Sequence, residues 1–370
     1  MVVATVDELR ARVPRLAGAF VVGLDLRDAA IDWDSAELVD ATFAGCRLEE
    51  PEELEVRAGG AVVLPRLDGL GFDPYRAALY TNAELMAGYA AGRPDTTLDA
   101  RIGELARTAP TPLETLARAM HDACIDAALV RFLASATGPV VGVMGSHATP
   151  RGDTAYRDAA ELGRCLVREG FVVATGGGPG LMEATNLGAW LAAAPDAALG
   201  AAIAELALAP EYLPDPTGFL AHAREVRERW PTEGLSLGVP TWLYVDEPVN
   251  QFATHIAKYF ENSIRENGLL AIALGGVVFT PGGSGTAQEI FTDAAQNDYS
   301  LYGVRSPMIF LGASYFEGSG LVRAVRSLAA AGGWADLVRV VDDTDGVVAT
   351  LRELAPPVAA PGWPLRRRSR

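Results

Sequence analysis

The stretch Val140-Val141-Gly142-Val143-Met144-Gly145-Ser146 decides how the rest of this chain is interpreted. Five residues without a charge, followed at once by a glycine and a small polar residue, are typical of a strand buried on both faces of a parallel sheet and of the tight turn after it. Residues 154–168 then show helical periodicity, and residues 171–174 repeat the strand pattern. The sequence therefore predicts a right-handed βαβ unit at this position.

The alternation of strand and helix patterns continues towards the carboxyl end. Helices are predicted over 181–194, 252–272, 287–297 and 320–331, and strands over 237–245, 277–280, 308–311 and 338–341. This pattern predicts an α/β fold, with a doubly wound, Rossmann-like parallel sheet over residues 137–350. Ligands of such sheets bind beyond the carboxyl ends of the strands.

The flanking segments have different patterns. Residues 1–136 are expected to form a small N-terminal α/β module, because short apolar runs in 19–66 are followed by helical periodicity in 74–133. A faint five-residue rhythm in residues 36–48 is attributed to chance. Residues 351–370 are rich in arginine and proline, and we expect a disordered basic tail there.

Charge and composition exclude several classes of partner. The 370 residues include 31 Lys and Arg against 47 Asp and Glu, for a net charge of −16. A field of this sign repels nucleic acid at long range, although local donors still bind a small anion. The amino-terminal stretch lacks the basic and apolar regions of a secretory signal, and no segment is typical of a membrane span. A cytoplasmic location without a membrane partner is expected.

The cysteines do not indicate a metal site. Cys46, Cys124 and Cys165 are far apart and show none of the spacings of zinc ligands. We expect buried free thiols, and no metal.

Three loops carry the chemistry. They are Gly145-Ser146-His147, residues 176–180 (GGGPG) and residues 281–286 (PGGSGT), and each follows a predicted strand and opens a helix. Backbone N–H groups at the positive end of a helix bind anions, so three such loops at one sheet edge predict a nucleotide or sugar-phosphate site. Leu181 stands where a GxGxxG motif needs its last glycine, and the only lysine, Lys258, is outside any GxxxxGK motif. Neither NAD nor a P-loop ATP site is indicated.

The third loop continues as Thr286-Ala287-Gln288-Glu289. One interpretation is structural, a capping box in which Thr286 caps the helix and Glu289 reaches back. The other is functional, because Glu289 would lie at the mouth of the site, where a carboxylate orients water or stabilises a developing cation. The two roles are compatible.

These motifs resemble those of the LONELY GUY (LOG) family. The segment 281–289 matches its PGGxGTxxE motif, and the segment 176–182 (GGGPGLM) resembles its GGGxxGLM motif with one residue fewer. The resemblance covers about residues 138–345. It implies a Rossmann-like phosphoribohydrolase that cleaves nucleoside 5′-monophosphates to free base and ribose 5-phosphate, without a cofactor, as a homodimer or higher homo-oligomer. Plant cytokinin-activating members carry glycine at the position of Glu183, so the chain is more similar to bacterial nucleotide 5′-monophosphate nucleosidases. A cytokinin riboside 5′-monophosphate is the alternative substrate.

The resemblance also implies roles for individual residues. Glu289 and Arg265 match the catalytic glutamate and arginine, although Arg265 requires a one-residue insertion and its neighbour is Glu266 where the family has lysine. Lys258, predicted on the same helix, is the other candidate cation, unless it is a solvated helix lysine. The nucleotide- and phosphate-binding residues are expected to be Gly145, Ser146, Gly176, Gly177, Gly178, Gly180, Met182, Glu183, Gly282, Gly283, Ser284, Gly285 and Thr286.

The histidines are secondary candidates. His147 follows the first loop and His255 lies on the predicted long helix, so either side chain is able to contact phosphate or base. His121 and His222 are interpreted as surface or hydrogen-bonded helix residues.

Two other function classes stay open at this stage. A carrier or sensor would use the same loops to bind a nucleotide or cofactor without turnover. A pyridoxal-phosphate-dependent lysine decarboxylase would need Lys258 for its Schiff base.

Overall fold

The computed structural model describes residues 1–90, 92–231, 234–244 and 247–356. The part of the predicted basic tail from residue 357 onwards lies outside these ranges. Residues 351–354 of that predicted tail belong instead to a carboxyl-terminal helix that begins at Thr344.

The amino-terminal residues form a small parallel sheet. Its strands are β1 (Val2–Val3), β2 (Phe20–Val22), β3 (Thr42–Ala44) and β4 (Val62–Leu64), in that spatial order. Partners in neighbouring strands lie 18 residues apart for Val2 and Phe20, 22 for Phe20 and Thr42, and 20 for Thr42 and Val62 (20 − 2, 42 − 20, 62 − 42). Parallel strands that stack at intervals of about 20 residues are typical of the coils of a solenoid. The structure places residues 36–48, whose five-residue rhythm was attributed to chance, within this stack of short parallel strands.

Five helices belong to the same amino-terminal part of the chain. They are α1 (Val6–Arg12), α2 (Glu50–Ala58), α3 (Asn82–Leu85), α4 (Leu98–Arg107) and α5 (Pro112–Ser135). The longest, α5, begins with a capping box in which Thr111 and Glu114 exchange hydrogen bonds.

The main sheet is doubly wound, as predicted. Its strands are β5 (Val140–Met144), β6 (Val172–Thr175), β7 (Ser236–Gly238), β8 (His255–Ile256), β9 (Gly276–Phe279), β10 (Met308–Leu311) and β11 (Val338–Val341). They are all parallel, in the order β11-β10-β9-β5-β6-β7-β8. The chain winds outwards from β5 in one direction and then returns to start again at β9. The point between β5 and β9 is therefore the topological switch point of the sheet.

Helices cover both faces of this sheet. They are α6 (Thr154–Arg168), α7 (Leu181–Trp190), α8 (Asp196–Leu206), α9 (Pro216–Arg229), α10 (Asn262–Ile272), α11 (Ser284–Tyr299), α12 (Ala313–Ser319), α13 (Leu321–Gly332) and α14 (Thr344–Leu354). In the described chain, no helix is both long and apolar enough to span a bilayer.

The largest difference from the sequence-based prediction is in residues 252–272. A single helix was predicted, but this segment begins with β8, which pairs with β7, and α10 starts only at Asn262. Tyr80 from the amino-terminal part exchanges two backbone hydrogen bonds with Ile256, which holds this segment in an extended conformation. The predicted strand 237–245, whose last residue lies outside the described ranges, is shorter for a local reason, because Pro240 has no N–H to continue the ladder.

The hydrophobic core does not divide at residue 136. One buried cluster joins Leu79, Ile125 and Leu129 to Leu237 and Phe279 of the main sheet. A separate cluster, made of residues between Val3 and Val63, belongs to the small sheet alone. Residues 79–133 thus form part of the core of the main sheet.

The cysteines are free, as expected, and Cys46 and Cys124 are buried. Cys165 is partly exposed on α6, which differs from the expectation.

Candidate functional site

The three predicted loops meet at the switch point. Leu181, which opens α7, donates its backbone N–H to the carbonyl of Ser146 at 2.9 Å. Thr280, at the end of β9, donates both its N–H and its hydroxyl to the carbonyl of Met144, each at 2.9 Å. The loops after β5, β6 and β9 are therefore joined directly, because adjacent parallel strands end at the same edge.

Two glycines are required for this close packing. A Cβ on Gly145 would lie 2.0 Å from the Thr280 hydroxyl oxygen, and one on Gly176 would lie 2.3 Å from Nη2 of Arg265. A third glycine, Gly180, has φ +69°, a conformation that side chains rarely adopt. The glycine pattern therefore reflects loop packing as well as any ligand.

Arg265 projects from α10 beneath the second loop. Its Nε donates to the carbonyl of Val239 at 2.7 Å, and Nη2 donates to the carbonyl of Gly176 at 3.1 Å. The third nitrogen, Nη1, lies 3.9 Å from Oε1 of Glu289 on α11. The structure thus brings together the two residues predicted as catalytic, and the loop carbonyls fix the orientation of the guanidinium.

The capping-box interpretation of Thr286 and Glu289 is wrong. Helix α11 begins at Ser284, with Gly283 as its N-cap and no side-chain cap, so Thr286 already lies inside the first turn. Its hydroxyl lies beside Gly282, where a Cβ would be only 2.2 Å away. Glu289 is therefore one turn too far along the helix to reach back to its start, and its carboxylate faces Arg265 instead.

The environment of Glu289 favours its protonated form. Burial raises the pKa of this carboxyl to about 7, against the opposing attraction of Arg265 and with a small further rise from Glu266. A carboxyl that titrates near neutral pH is suited to proton transfer.

A second carboxylate, from Glu247, was missed by the sequence analysis. A Cβ on Gly178 would lie 3.2 Å from its carboxyl carbon, so it lies directly against the second loop. Burial raises the pKa of Glu247, while Arg265, Lys258 and His147 act to lower it. Its sequence signal is weak, since a glutamate before Pro248 in a long loop resembles any turn residue.

Lys258 is neither helical nor solvated, so both expectations were wrong. It follows β8 and its side chain is only 4% exposed. Nζ lies 2.8 Å from Oδ1 of Asp99 on α4, and the same oxygen accepts the indole N–H of Trp242 at 2.8 Å. Lys258 therefore joins the amino-terminal part of the chain to the main sheet.

Glu183 and Met182 support the second loop from below. The Glu183 carboxylate accepts from Arg151 at 2.6 and 2.8 Å and from the Tyr156 hydroxyl at 3.0 Å, in a buried cluster. The Met182 side chain would be touched by a Cβ on either Gly176 or Gly178. The prediction that Glu183 binds the nucleotide conflicts with this geometry, because such a contact would break a buried ion pair.

The remaining loop residues differ in their accessibility. Gly283, Ser284 and Gly285 are exposed at the start of α11, and Gly282 is half-buried. In the second loop, the N–H of Gly177 is already donated to the Thr175 hydroxyl at 3.1 Å. The start of α11 is thus the most accessible group of backbone donors among the predicted residues. Ser146 is half-buried, and its hydroxyl oxygen accepts from the N–H of Ala148 at 3.1 Å.

The histidines divide between the site and the scaffold. His147 is exposed beside the first loop. His255 lies on the edge strand β8, stacked at 4.5 Å on Phe132, and burial lowers its pKa. Its predicted place near the site was wrong, because β6 and β7 separate β8 from the switch point. His121 and His222 are hydrogen-bonded, as expected, to Asp122 and Glu205.

Comparison with known proteins gives a partial match. No curated protein matches this chain. Among solved structures, a Moco carrier protein from Chlamydomonas reinhardtii is 19% identical, with a TM-score of 0.37, over 58% of this chain and 96% of that chain. A molybdenum cofactor binding protein from Rippkaea orientalis is 17% identical, with a TM-score of 0.32, over 59% and 98%.

The match to a family model covers the part of the candidate site that contains the first two glycine loops. The matching model is that of the SLOG cluster4 family, and it covers residues 138–195. This range contains β5, α6, β6 and α7, together with the first two glycine loops. Residues 138–195 are therefore similar to the SLOG cluster4 family.

Proposed function

We propose that this protein hydrolyses the N-glycosidic bond of nucleoside 5′-monophosphates, releasing free base and ribose 5-phosphate. The observation that carries the proposal is the Arg265–Glu289 pair, with Nη1 and Oε1 3.9 Å apart at the meeting point of three glycine loops. The resemblance of these loops to LOG motifs supports the same reaction.

The start of α11 is suited to the 5′-phosphate. Gly283, Ser284 and Gly285 expose backbone at the positive end of a sixteen-residue helix. Bound there, a phosphate would fix the position of the ribose, and this orientation supplies part of the rate enhancement.

The bond that breaks joins C1′ of the ribose to a ring nitrogen of the base. Its electron pair leaves with the base, and positive charge develops on the ribose ring, as in glycoside hydrolysis. Ionised Glu289 stabilises this charge and accepts a proton from the water whose oxygen attacks C1′. Arg265, held by two carbonyls, positions Glu289 and offers donors to ribose oxygens. Glu247, whose pKa burial also raises, is the candidate donor of a proton to the leaving base.

The test is direct. The purified protein is incubated with AMP, GMP, CMP, UMP and a cytokinin riboside 5′-monophosphate, and free base is measured by chromatography. Glu289→Gln is expected to lower kcat by about 10²–10⁴-fold, the usual contribution of a general base. The exposed Glu317→Gln on α12 is the matched carboxyl-to-amide control. Release of no base, or an unchanged rate in Glu289→Gln, would show that the proposal is wrong.

A binding measurement with the same nucleotides separates the other function classes. Tight nucleotide binding without turnover would indicate a carrier or sensor. A lysine decarboxylase is disfavoured by the buried Lys258–Asp99 ion pair, since Schiff-base formation requires a neutral amine.

A further inference from the structure

A cavity of about 480 Å³ lies where the amino-terminal part of the chain meets the main sheet. One wall is α4, with Asp99, Ala100 and Gly103, and another is α9, with Thr217 and Leu220. A cavity of this size is within the usual range for small-molecule sites.

The cavity adjoins the candidate active site through Glu247. This residue lines the cavity and also lies against Gly178 of the second loop. Lys258 also lines the cavity. Its charge and that of Arg265 both act to lower the pKa of Glu247. Glu247 therefore lies between this cavity and a ligand whose ribose is bound by Arg265 and Glu289.

The lining is suited to a heteroaromatic ring rather than to a phosphate. Asp95, Asp99 and Glu247 outnumber Arg107 and Lys258, and the Lys258 charge is already paired with Asp99. Aromatic side chains of Trp242, Tyr212 and Tyr244 offer stacking surfaces.

Asp99 is the best-placed of these carboxylates to accept a hydrogen bond from the edge of a bound ring. Among the described residues, its contacts with Lys258 and Trp242 both use Oδ1. The second oxygen, Oδ2, is the one that would accept from a ligand, and a carboxylate accepts only from N–H or O–H donors.

We propose that this cavity is the subsite for the leaving base, and that Asp99 makes it selective for bases with an exocyclic amino group. The inference rests on the proposed function. In this proposal, α4 of the amino-terminal part of the chain selects the base, and the loops of the main sheet bind the ribose phosphate.

The first experiment fills the cavity. Ala100→Trp adds an indole to its α4 wall, and kcat/KM for AMP is expected to fall at least about tenfold. Inhibition by ribose 5-phosphate, which lacks a base, is expected to stay within about twofold of wild type. Arg101→Trp, on the exposed side of α4, is the matched control. If Ala100→Trp does not fold, the smaller Ala100→Leu replaces it, with a smaller loss expected.

The second experiment tests the amino selectivity. AMP and IMP differ at C6, an amino group against a carbonyl, and at N1, which carries a hydrogen only in IMP. Because Asp99 is proposed to accept from the amino group, wild type is expected to favour AMP by at least about tenfold in kcat/KM. CMP and UMP form a second pair of the same kind. In the double variant Asp99→Asn, Lys258→Met, which removes the ion pair as a unit, this preference is expected to fall to about one.

The outcomes separate the two proposals. If AMP is hydrolysed but Ala100→Trp has wild-type kcat/KM, or if wild type does not favour AMP over IMP, the subsite is wrong and the reaction stands. If no nucleotide is hydrolysed, calorimetric binding of AMP and IMP makes the same comparison. Binding of AMP that Ala100→Trp abolishes would then keep the subsite and overturn the reaction, and no binding of either nucleotide would overturn both.

Discussion

Glu289 connects the proposed chemistry to pH. Its pKa is raised to about 7 by burial, and the ionised form is the one that accepts a proton from water. We therefore expect kcat/KM for AMP to rise by up to about tenfold per pH unit below pH 7, as Glu289 ionises, and to fall again at the pH where Glu247 loses the proton that it donates. Initial rates across this range provide the measurement. A profile that is flat or falls between about pH 6 and 7 would contradict the assignment of Glu289 as base.

Asp293, one turn further along α11, predicts a pH dependence of stability. It is buried, its Oδ2 has no hydrogen-bond partner among the described residues, and burial raises its pKa to about 8. The folded state therefore binds a proton that the unfolded chain releases near pH 4, so this contribution to stability is lost as the pH rises towards 8.

Asp293→Asn is neutral at every pH and escapes this loss. Its free energy of unfolding, relative to wild type, is expected to increase by up to about 1.4 kcal/mol per pH unit between about pH 4 and 8. Urea unfolding near pH 5 and pH 8 measures this difference, with Glu317→Gln as the exposed control. An equal difference at both pH values would contradict the prediction.

At the scale of elements, α5 holds the start of α10. The Asp122 carboxylate accepts the backbone N–H of Phe260 at 3.0 Å and of Glu261 at 2.9 Å, and it is bonded to His121 at 3.0 Å. Arg265 follows on the first turn of α10, so this contact supports a predicted catalytic residue from a distance.

Asp122→Ala would leave these N–H groups without their acceptor. We expect a loss of about 1–3 kcal/mol in the free energy of unfolding, since a hydrogen bond to a charged group contributes about 1.5–3 kcal/mol and these N–H groups are only partly buried. Denaturant unfolding measures it, and Leu116→Ala, at a side chain that is 68% exposed on the same helix, is the control. Equal stability of the two variants would show that the contact is unimportant.

The elements also show where sequence patterns fail. Strands β5, β10 and β11 and helix α6 have the bounds that were predicted, because their apolar pattern faces a local sheet or helix surface. The segment 252–261 has an equally apolar pattern but is extended, since its conformation depends on pairing with β7 and with Tyr80, far away in the chain.

At the scale of the whole molecule, the shared core predicts the effect of truncation. Leu79, Ile125 and Leu129 are buried in the same cluster as residues of the main sheet. The small sheet has a cluster of its own and shares only a smaller one with Cys124 and Ala127 of α5. Removing residues 1–136 is expected to abolish cooperative unfolding, because it strips one side of the larger core. Removing residues 1–66 is expected to preserve a cooperative transition. Thermal unfolding followed by circular dichroism distinguishes the two truncated chains. A cooperative transition in the chain that lacks residues 1–136 would contradict the shared core.

The net charge of −16 predicts a dependence on salt. The overall field repels a nucleotide, while the buried Arg265 is screened much less than the surface. We expect kcat/KM for AMP to rise about twofold between 10 and 150 mM salt, from faster association. A decrease over this range would indicate that exposed cations attract the substrate.

By itself, the sequence determined the alternating α/β fold and the three glycine loops, and the resemblance of its motifs to the LOG family pointed to Arg265 and Glu289. These are encoded in local periodicity, in glycine positions and in a nine-residue motif, so neighbouring residues are enough to predict them. Only the tertiary structure decided that Glu247, Lys258 and Asp99 lie beside the site, that Glu183 belongs to a buried ion pair, and that α4 forms a wall of the adjoining cavity. Each of these is a contact between residues far apart in the chain, and no local pattern specifies which distant side chain will be the partner of a buried charge.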